Sequence, residues 1–362
     1  MRIMKKITII VLILTLVIGI TPVSYAADQG EQALKEALVY LTKQVKEPTV
    51  GSVGGEWIIL GLLRSQMDIP GKEKYVDTYY QNTLRYLKDN NGELSQIKYT
   101  EYSRLILAFT AMGKDGSNVG GYNLLEKLAD FNMVKKQGVN GPIYALIALD
   151  SKGYSIPSVS GGKTQTTRQG LVDYILSKEL LGGGFALSGN NVDPDVTGMA
   201  LQALAPYKDQ PEVTKTIERS LATLPVALGE SESSESISQV INALAKLGID
   251  PQTDSRFIIT DINGKNQGLV TALLNFQMKD GSFRHLTDGS SDLMATEQAA
   301  LALASYNSFL KGEGTSYKYK VLLNGKYLVF DQPPVNINQR VLVPMRAIFE
   351  AMGAEILWDG TL

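Results

Sequence analysis

The chain has 362 residues, with 35 Lys and Arg against 37 Asp and Glu, a formal charge of −2. It has no cysteine and one histidine, which excludes disulfides, zinc sites built from cysteine and histidine, and Cys/His nucleophilic catalysis. The lack of a basic excess argues against nucleic acid as a partner. In chain order, Arg2, Lys5 and Lys6 precede an apolar run from Ile7 to Ile20, and Ser24-Tyr25-Ala26 offers small residues at −3 and −1. This is the pattern of a signal peptide over 1–26, cleaved after Ala26. Fourteen residues are short for a membrane span, and no later segment is long and apolar enough to cross a bilayer. Cleavage removes three positive charges and takes −2 to −5. An exported chain without disulfides must draw its stability from burial.

A short apolar pattern centred on Ala-Leu then occurs six times. The copies are Gly61-Leu62, Ala108-Phe109, Ala148-Leu149, Ala203-Leu204, Ala243-Leu244 and Ala302-Leu303, spaced by 47, 40, 55, 40 and 59 residues. Periods of this size mean stacked helical hairpins or a ring of them. The helix carrying the pattern is apolar nearly all round, as over 199–205, so it is buried on most sides. The helix before it is two-faced: in 171–180, Leu171, Val172, Ile175 and Leu176 alternate with Asp173, Ser177 and Lys178. Six such pairs predict two concentric rings. Gly113, Gly153 and Gly248 follow apolar helices where a left-handed residue is wanted, and Pro142 suits the first position of a helix. The polar stretches 155–167 and 248–266 read as surface loops.

The stretch 273–306 resembles a repeat of the prenyltransferase and squalene-cyclase superfamily. Gln277, Gly281 and Phe283 match its Q-x-x-x-G-[W/F] pattern, and Glu179, Gly183 and Phe185 repeat it with glutamate for glutamine. The resemblance covers roughly 28–311 and implies a mainly α fold, a six-hairpin α/α toroid. It says little about activity, because that fold hosts unrelated functions.

After a linker at 312–316, residues 317–362 change character. Asn324-Gly325 between alternating runs is a hairpin signal. Val341 to Val343 reads as a strand, Pro344 opens a helix to about Met352, Gly353 closes it, and Ile356 to Trp358 begins another strand. Leu-Val-Pro-Met-Arg (342–346) and Trp358-Asp359-Gly360 make this segment resemble the "copper amine oxidase N-terminal-like" or stalk domain of bacterial surface proteins. The resemblance implies a stalk or attachment module and neither copper nor oxidase chemistry. The module is expected to be incomplete, because a final strand at Leu362 would leave an unpaired edge.

The carboxylates carry the functional question. Asp193 and Asp195 fall on the Asp-x-Asp-Asp pattern of class II terpene cyclases, whose middle acid protonates an alkene, with Val196 in place of the last carboxylate. Asp195 is therefore the one candidate catalytic acid. Such an acid must be held protonated, and the pocket needs aromatic side chains, of which this chain's two tryptophans supply few. Against this stands capping: an acid before a helix accepts its free N–H groups and suits its positive end. Glu56, Glu101, Glu235 and Glu297 occupy comparable places in the other copies, with Asn140 in the remaining one. In a toroid these helix starts gather around one mouth. There Glu56, Trp57, Glu101, Tyr102, Asp193, Asp195, Glu235, Thr296 and Glu297 would form an acidic, aromatic-edged bowl for a polyol, sugar or cationic ligand. A polysaccharide-active toroid would instead pair two of Asp195, Asp292 and Glu297. His285 reads as a loop residue, and the loop at 280–283 lacks the ligands of a calcium site.

The expectation is an exported bacterial cell-surface protein, a non-catalytic toroid that binds a small molecule or glycan and is displayed on a stalk-type domain with cell-wall attachment. No cofactor and no metal are expected. A diverged cyclase and a polysaccharide-active enzyme are the alternatives.

Overall fold

A computed structural model describes residues 22–312 except Glu230, Glu232, Ile262 and Asn263, together with short pieces of 322–352. The described chain is mainly helical, with a few small antiparallel strands. Most of the expected signal segment lies outside the described residues; helix α1 (Pro22–Gln44) begins four residues before the expected cleavage point.

The copies of the apolar pattern fall in six helices: α2 (Glu56–Arg64), α4 (Thr100–Ala111), α7 (Asn140–Asp150), α9 (Pro194–Leu204), α11 (Ser234–Leu247) and α13 (Leu293–Leu310). They are buried on most sides, and Leu62, Phe109, Leu149, Leu204, Leu244 and Leu303 are all within 1 % of full burial. Each leucine so placed is worth roughly 1.5–3 kcal/mol of transfer free energy. Small residues set the spacing. At Gly198 a Cβ would stand 2.8 Å from the Gln239 carbonyl oxygen, so α9 and α11 approach more closely there than any side chain permits.

Packing between these helices is cyclic. In chain order each packs against the next, and α13 returns to α2. A belt of amides runs along three of them: Gln239 Nε2 donates to Gln298 (2.8 Å) and Gln202 Nε2 donates to Gln239 (3.0 Å). The C-terminal halves of the cycle's helices share a second feature. Arg64, Leu107, Ile147, Gln202, Asn242 and Ser305, one from each helix, line a single cavity of about 620 Å³.

A second set of helices covers the cycle: α1, α3 (Lys72–Asp89), α5 (Leu125–Leu128) with α6 (Phe131–Val134), α8 (Arg168–Leu176), α10 (Pro211–Gly229) and α12 (Leu269–Leu274). They are two-faced. On α8, Leu171, Val172 and Ile175 are buried, whereas Asp173 is exposed. The helix expected over 171–180 stops at Leu176, ahead of Gly182, Gly183 and Gly184, which all adopt positive φ. Pro142 sits two residues inside α7 rather than at its start; a first-turn N–H has no intrahelical acceptor, so its loss there is harmless. Helix α1 closes the circuit by packing on α13, α2 and α12. Gly30 faces Leu303 of α13, and Leu38 of α1 and Ala300 of α13 both face Gly61 of α2.

The Gln-x-x-x-Gly-Phe turns join the two sets. Gly281 has φ +89°, and a Cβ there would lie 2.8 Å from the Glu36 carbonyl oxygen of α1; Gln277 Nε2 donates to the Glu36 carboxylate at 3.0 Å. The 179–185 copy repeats the docking. A Cβ on Gly183 would lie 2.7 Å from Arg219 of α10, and Glu179 holds the Arg219 guanidinium at 2.6 Å. Phe185 and Phe283 are fully buried. The backbone N–H of each donates, at 2.9 Å, to a threonine in the following inner helix, Thr197 or Thr296.

Short strands complete the description. β1 (Ile259–Thr260) pairs with β2 (Asn266–Gln267), and β3 (Phe283–Arg284) with β4 (Ser291–Asp292). In the C-terminal segment β5 (Leu322–Leu323) pairs with β6 (Lys326–Tyr327), Leu323 opposite Lys326. β7 (Val335–Ile337), which the sequence reading omitted, pairs with β8 (Arg340–Leu342), and α14 (Met345–Ala351) follows. The strand expected at 356–358 lies outside the described residues.

Candidate functional site

Among the described residues, the buried charged side chains are Glu56, in the first turn of α2, Glu297, early in α13, and Arg104 of α4. On α13, Glu297 is fully buried. Its Oε1 accepts the Gly54 N–H at 2.7 Å, a contact across 243 residues, and its Oε2 is buried with no hydrogen-bond partner. Burial pushes this carboxyl up to about 8, and the Glu56 and Asp292 carboxylates add to the effect. Glu56, at the start of α2, is also fully buried. Its Oε1 accepts from Gly51 N–H (3.1 Å) and Tyr79 O–H (3.0 Å), and Arg104 Nε of α4 lies 3.4 Å from its Oε2. Burial raises the Glu56 carboxyl in spite of that guanidinium.

From Arg104 the cluster continues through aromatic contacts. Its guanidinium carbon lies 5.9 Å from the centre of the Trp57 ring, and Trp57 lies 5.9 Å from Tyr144 of α7. The Tyr144 hydroxyl donates to Met199 Sδ of α9 at 3.0 Å. Burial lifts this phenol to about 12, with Arg104 opposing and the Asp195 charge adding.

Asp195 completes the circuit. It is half-buried in the first turn of α9, and its Oδ1 is buried without a partner. Burial raises its carboxyl, a Ser236 hydrogen bond opposes, and Asp193 and Glu235 raise it further. On α11, Glu235 Oε2 meets the His285 Nδ1 at 2.8 Å and accepts from Ser233 and Ser234 hydroxyls at 3.1 Å. The Glu235 contact raises the His285 imidazole against the opposing effect of burial.

The structure thus gathers Glu56, Trp57, Asp195, Glu235 and Glu297. The other candidates have their polar groups taken up by the fold. Asp193 is the N-cap of α9, accepting from the Asp195 and Val196 backbones at 2.8 and 3.2 Å. Asp292 caps α13 through Ala295 N–H at 2.8 Å, and Ser233 caps α11. Thr296 Oγ1 holds both backbone groups of Phe283. The Tyr102 hydroxyl accepts the Leu94 and Ser95 N–H groups. Glu101 is half-buried in the first turn of α4 and joins none of these contacts. Capping therefore accounts for Asp193 and Asp292, and it leaves Glu56, Asp195 and Glu297 without that explanation. Sequence reasoning missed Arg104, Tyr144 and Met199. Each stands three or four residues after the aligned acid or Asn140, one helical turn further along the same face.

Buried carboxyls, an aromatic pair and a buried guanidinium can hold hydroxyl groups, stack on an apolar ring face, or, where a carboxyl keeps its proton, donate it. Among the described residues, no group of three or more His, Cys, Asp and Glu is placed to hold a metal ion.

Comparison with known proteins adds one match. The family model described as "Copper amine oxidase N-terminal domain" matches residues 322–362. Those residues contain no histidine and no cysteine, so they offer copper neither imidazole nor thiolate. Neither the curated proteins nor the solved structures yield a match to the chain.

Proposed function

We propose that the cyclic helical region is an α/α toroid whose acidic mouth binds a polyhydroxylated ligand, a sugar or polyol, and that an exported bacterial surface protein displays it on a stalk-type module. The carrying observation is the pair of buried, unpartnered carboxyl oxygens, Glu297 Oε2 and Asp195 Oδ1, in one cluster with the Trp57–Tyr144 pair. An unsatisfied buried oxygen costs about 1–3 kcal/mol, which a ligand hydroxyl relieves. Burial raises both carboxyls, Glu297 to about 8, and a carboxyl that keeps its proton can donate as well as accept, which suits hydroxyl groups. Export rests on the pattern of residues 1–26, and display rests on the match at 322–362.

The test is calorimetry of the full chain against glycerol, xylitol and gluco-oligosaccharides, with Asp195→Asn/Glu297→Gln as the partner variant. Saturable binding that weakens at least tenfold in the variant is expected. No binding, or equal binding by the variant, overturns the reading. A carboxyl held near pH 8 is also a competent proton donor, so product analysis on any bound compound separates a binding protein from an enzyme acting through Asp195 or Glu297.

A further inference from the structure

The opposite ends of the same helices meet around the 620 Å³ cavity, whose chemistry is reversed. Two cations line it: Arg64, the last residue of α2, and Lys246, in the last turn of α11. Neither forms an ion pair among the described residues. Both side chains reach solvent, yet protein surrounds them closely enough that burial lowers both pKa values. They stand in a wet recess and not on an open surface. The Arg64 charge lowers the Lys246 ammonium further, with Asp150 opposing.

Asp150 is the lining residue that carries negative charge, and its oxygens are occupied. Oδ1 accepts Arg168 Nε at 2.7 Å, and Oδ2 accepts the Tyr207 hydroxyl at 2.8 Å. The rest of the polar lining is neutral: Gln66, Ser151, Gln202, Asn242, Ser305 and Ser308. A cavity of this volume suits a small molecule. Two unpaired, mutually repelling cations on one cavity, among neutral hydrogen-bonding groups, make a favourable seat for an anion.

We infer that this cavity is a second ligand site, distinct from the acidic mouth, and that it takes a small organic oxyanion, a carboxylate or a phosphate ester. The competing account is that Arg64 and Lys246 only complement the partial negative charge of their helix ends. That account predicts stability effects without anion binding. The experiment is isothermal titration of the full chain with citrate and with glucose 6-phosphate at matched ionic strength, with glucose and sodium chloride as controls. Saturable binding of citrate, glucose 6-phosphate or both is expected, and the two arms tell carboxylate from phosphate. Arg64→Gln/Lys246→Gln weakens binding at least tenfold, and Lys246→Arg, which keeps the charge, retains it within threefold. Circular dichroism checks the fold; where the double variant unfolds, Arg64→Gln alone decides by the same titration. Binding of neither anion above the chloride control, or undiminished binding without the cations, overturns the inference.

Discussion

Glu297 shows what burial does to a single side chain. An unfolded glutamate titrates near 4.5, and this one near 8. Between those values the native state keeps a proton that the unfolded chain has released. Its contribution therefore lowers stability as pH rises through that window and levels off above about 8. The full gap is worth on the order of 5 kcal/mol. Glu297→Gln keeps an oxygen for the Gly54 N–H and removes the ionisation. We expect it to be near neutral at pH 5 and stabilising at pH 8, read as urea midpoints for both proteins at pH 5, 6.5 and 8. Parallel pH profiles would contradict the assignment. The acids themselves were legible in the sequence as a shared repeat position. Their division into caps and buried, unpartnered groups was not, because it depends on neighbours far along the chain, such as Gly54 beside Glu297.

Among the elements, the inner helices were the plainest to read. A helix such as α7, apolar on every side, has no alternative but burial, so Ala148-Leu149 and its counterparts announced themselves. The two-faced helices were less clear at their ends: α8 stops at Leu176 because a glycine-rich turn takes over, although the apolar spacing could continue. The Gln-x-x-x-Gly-Phe turn was visible as a motif, but its purpose appears only where Gly281 meets α1. Gly281→Ala must both strain a positive φ and displace the Glu36 carbonyl, and we expect a loss of roughly 3 kcal/mol. Gly182→Ala strains a similar φ, +92°, with nothing within 4 Å of the added carbon, and should cost about 1–2 kcal/mol. Denaturation of the two variants side by side measures the close approach alone; equal losses would refute it.

For the whole molecule the decisive contact is the return of α13 to α2 and α1, which no local pattern encodes. The period of the repeat is equally compatible with an extended stack. If the cycle is one cooperative unit, damage to its first helix must be felt in its last. Leu38, fully buried on α1, supplies the probe: Leu38→Ala should cost about 2–5 kcal/mol. It should also accelerate amide exchange over 299–304 of α13 as much as over 34–41 of α1. Loss of protection confined to α1 would mean that the helices behave as separable neighbours. The packing of α1 on α13 has one more consequence. It sets Gly30, early in the circuit, against Leu303, late in it, so the polypeptide's break need not fall where it does. A circularly permuted chain, with residue 312 spliced to residue 22 and new termini cut into the exposed stretch at 158–163, would retain every packed pair of helices.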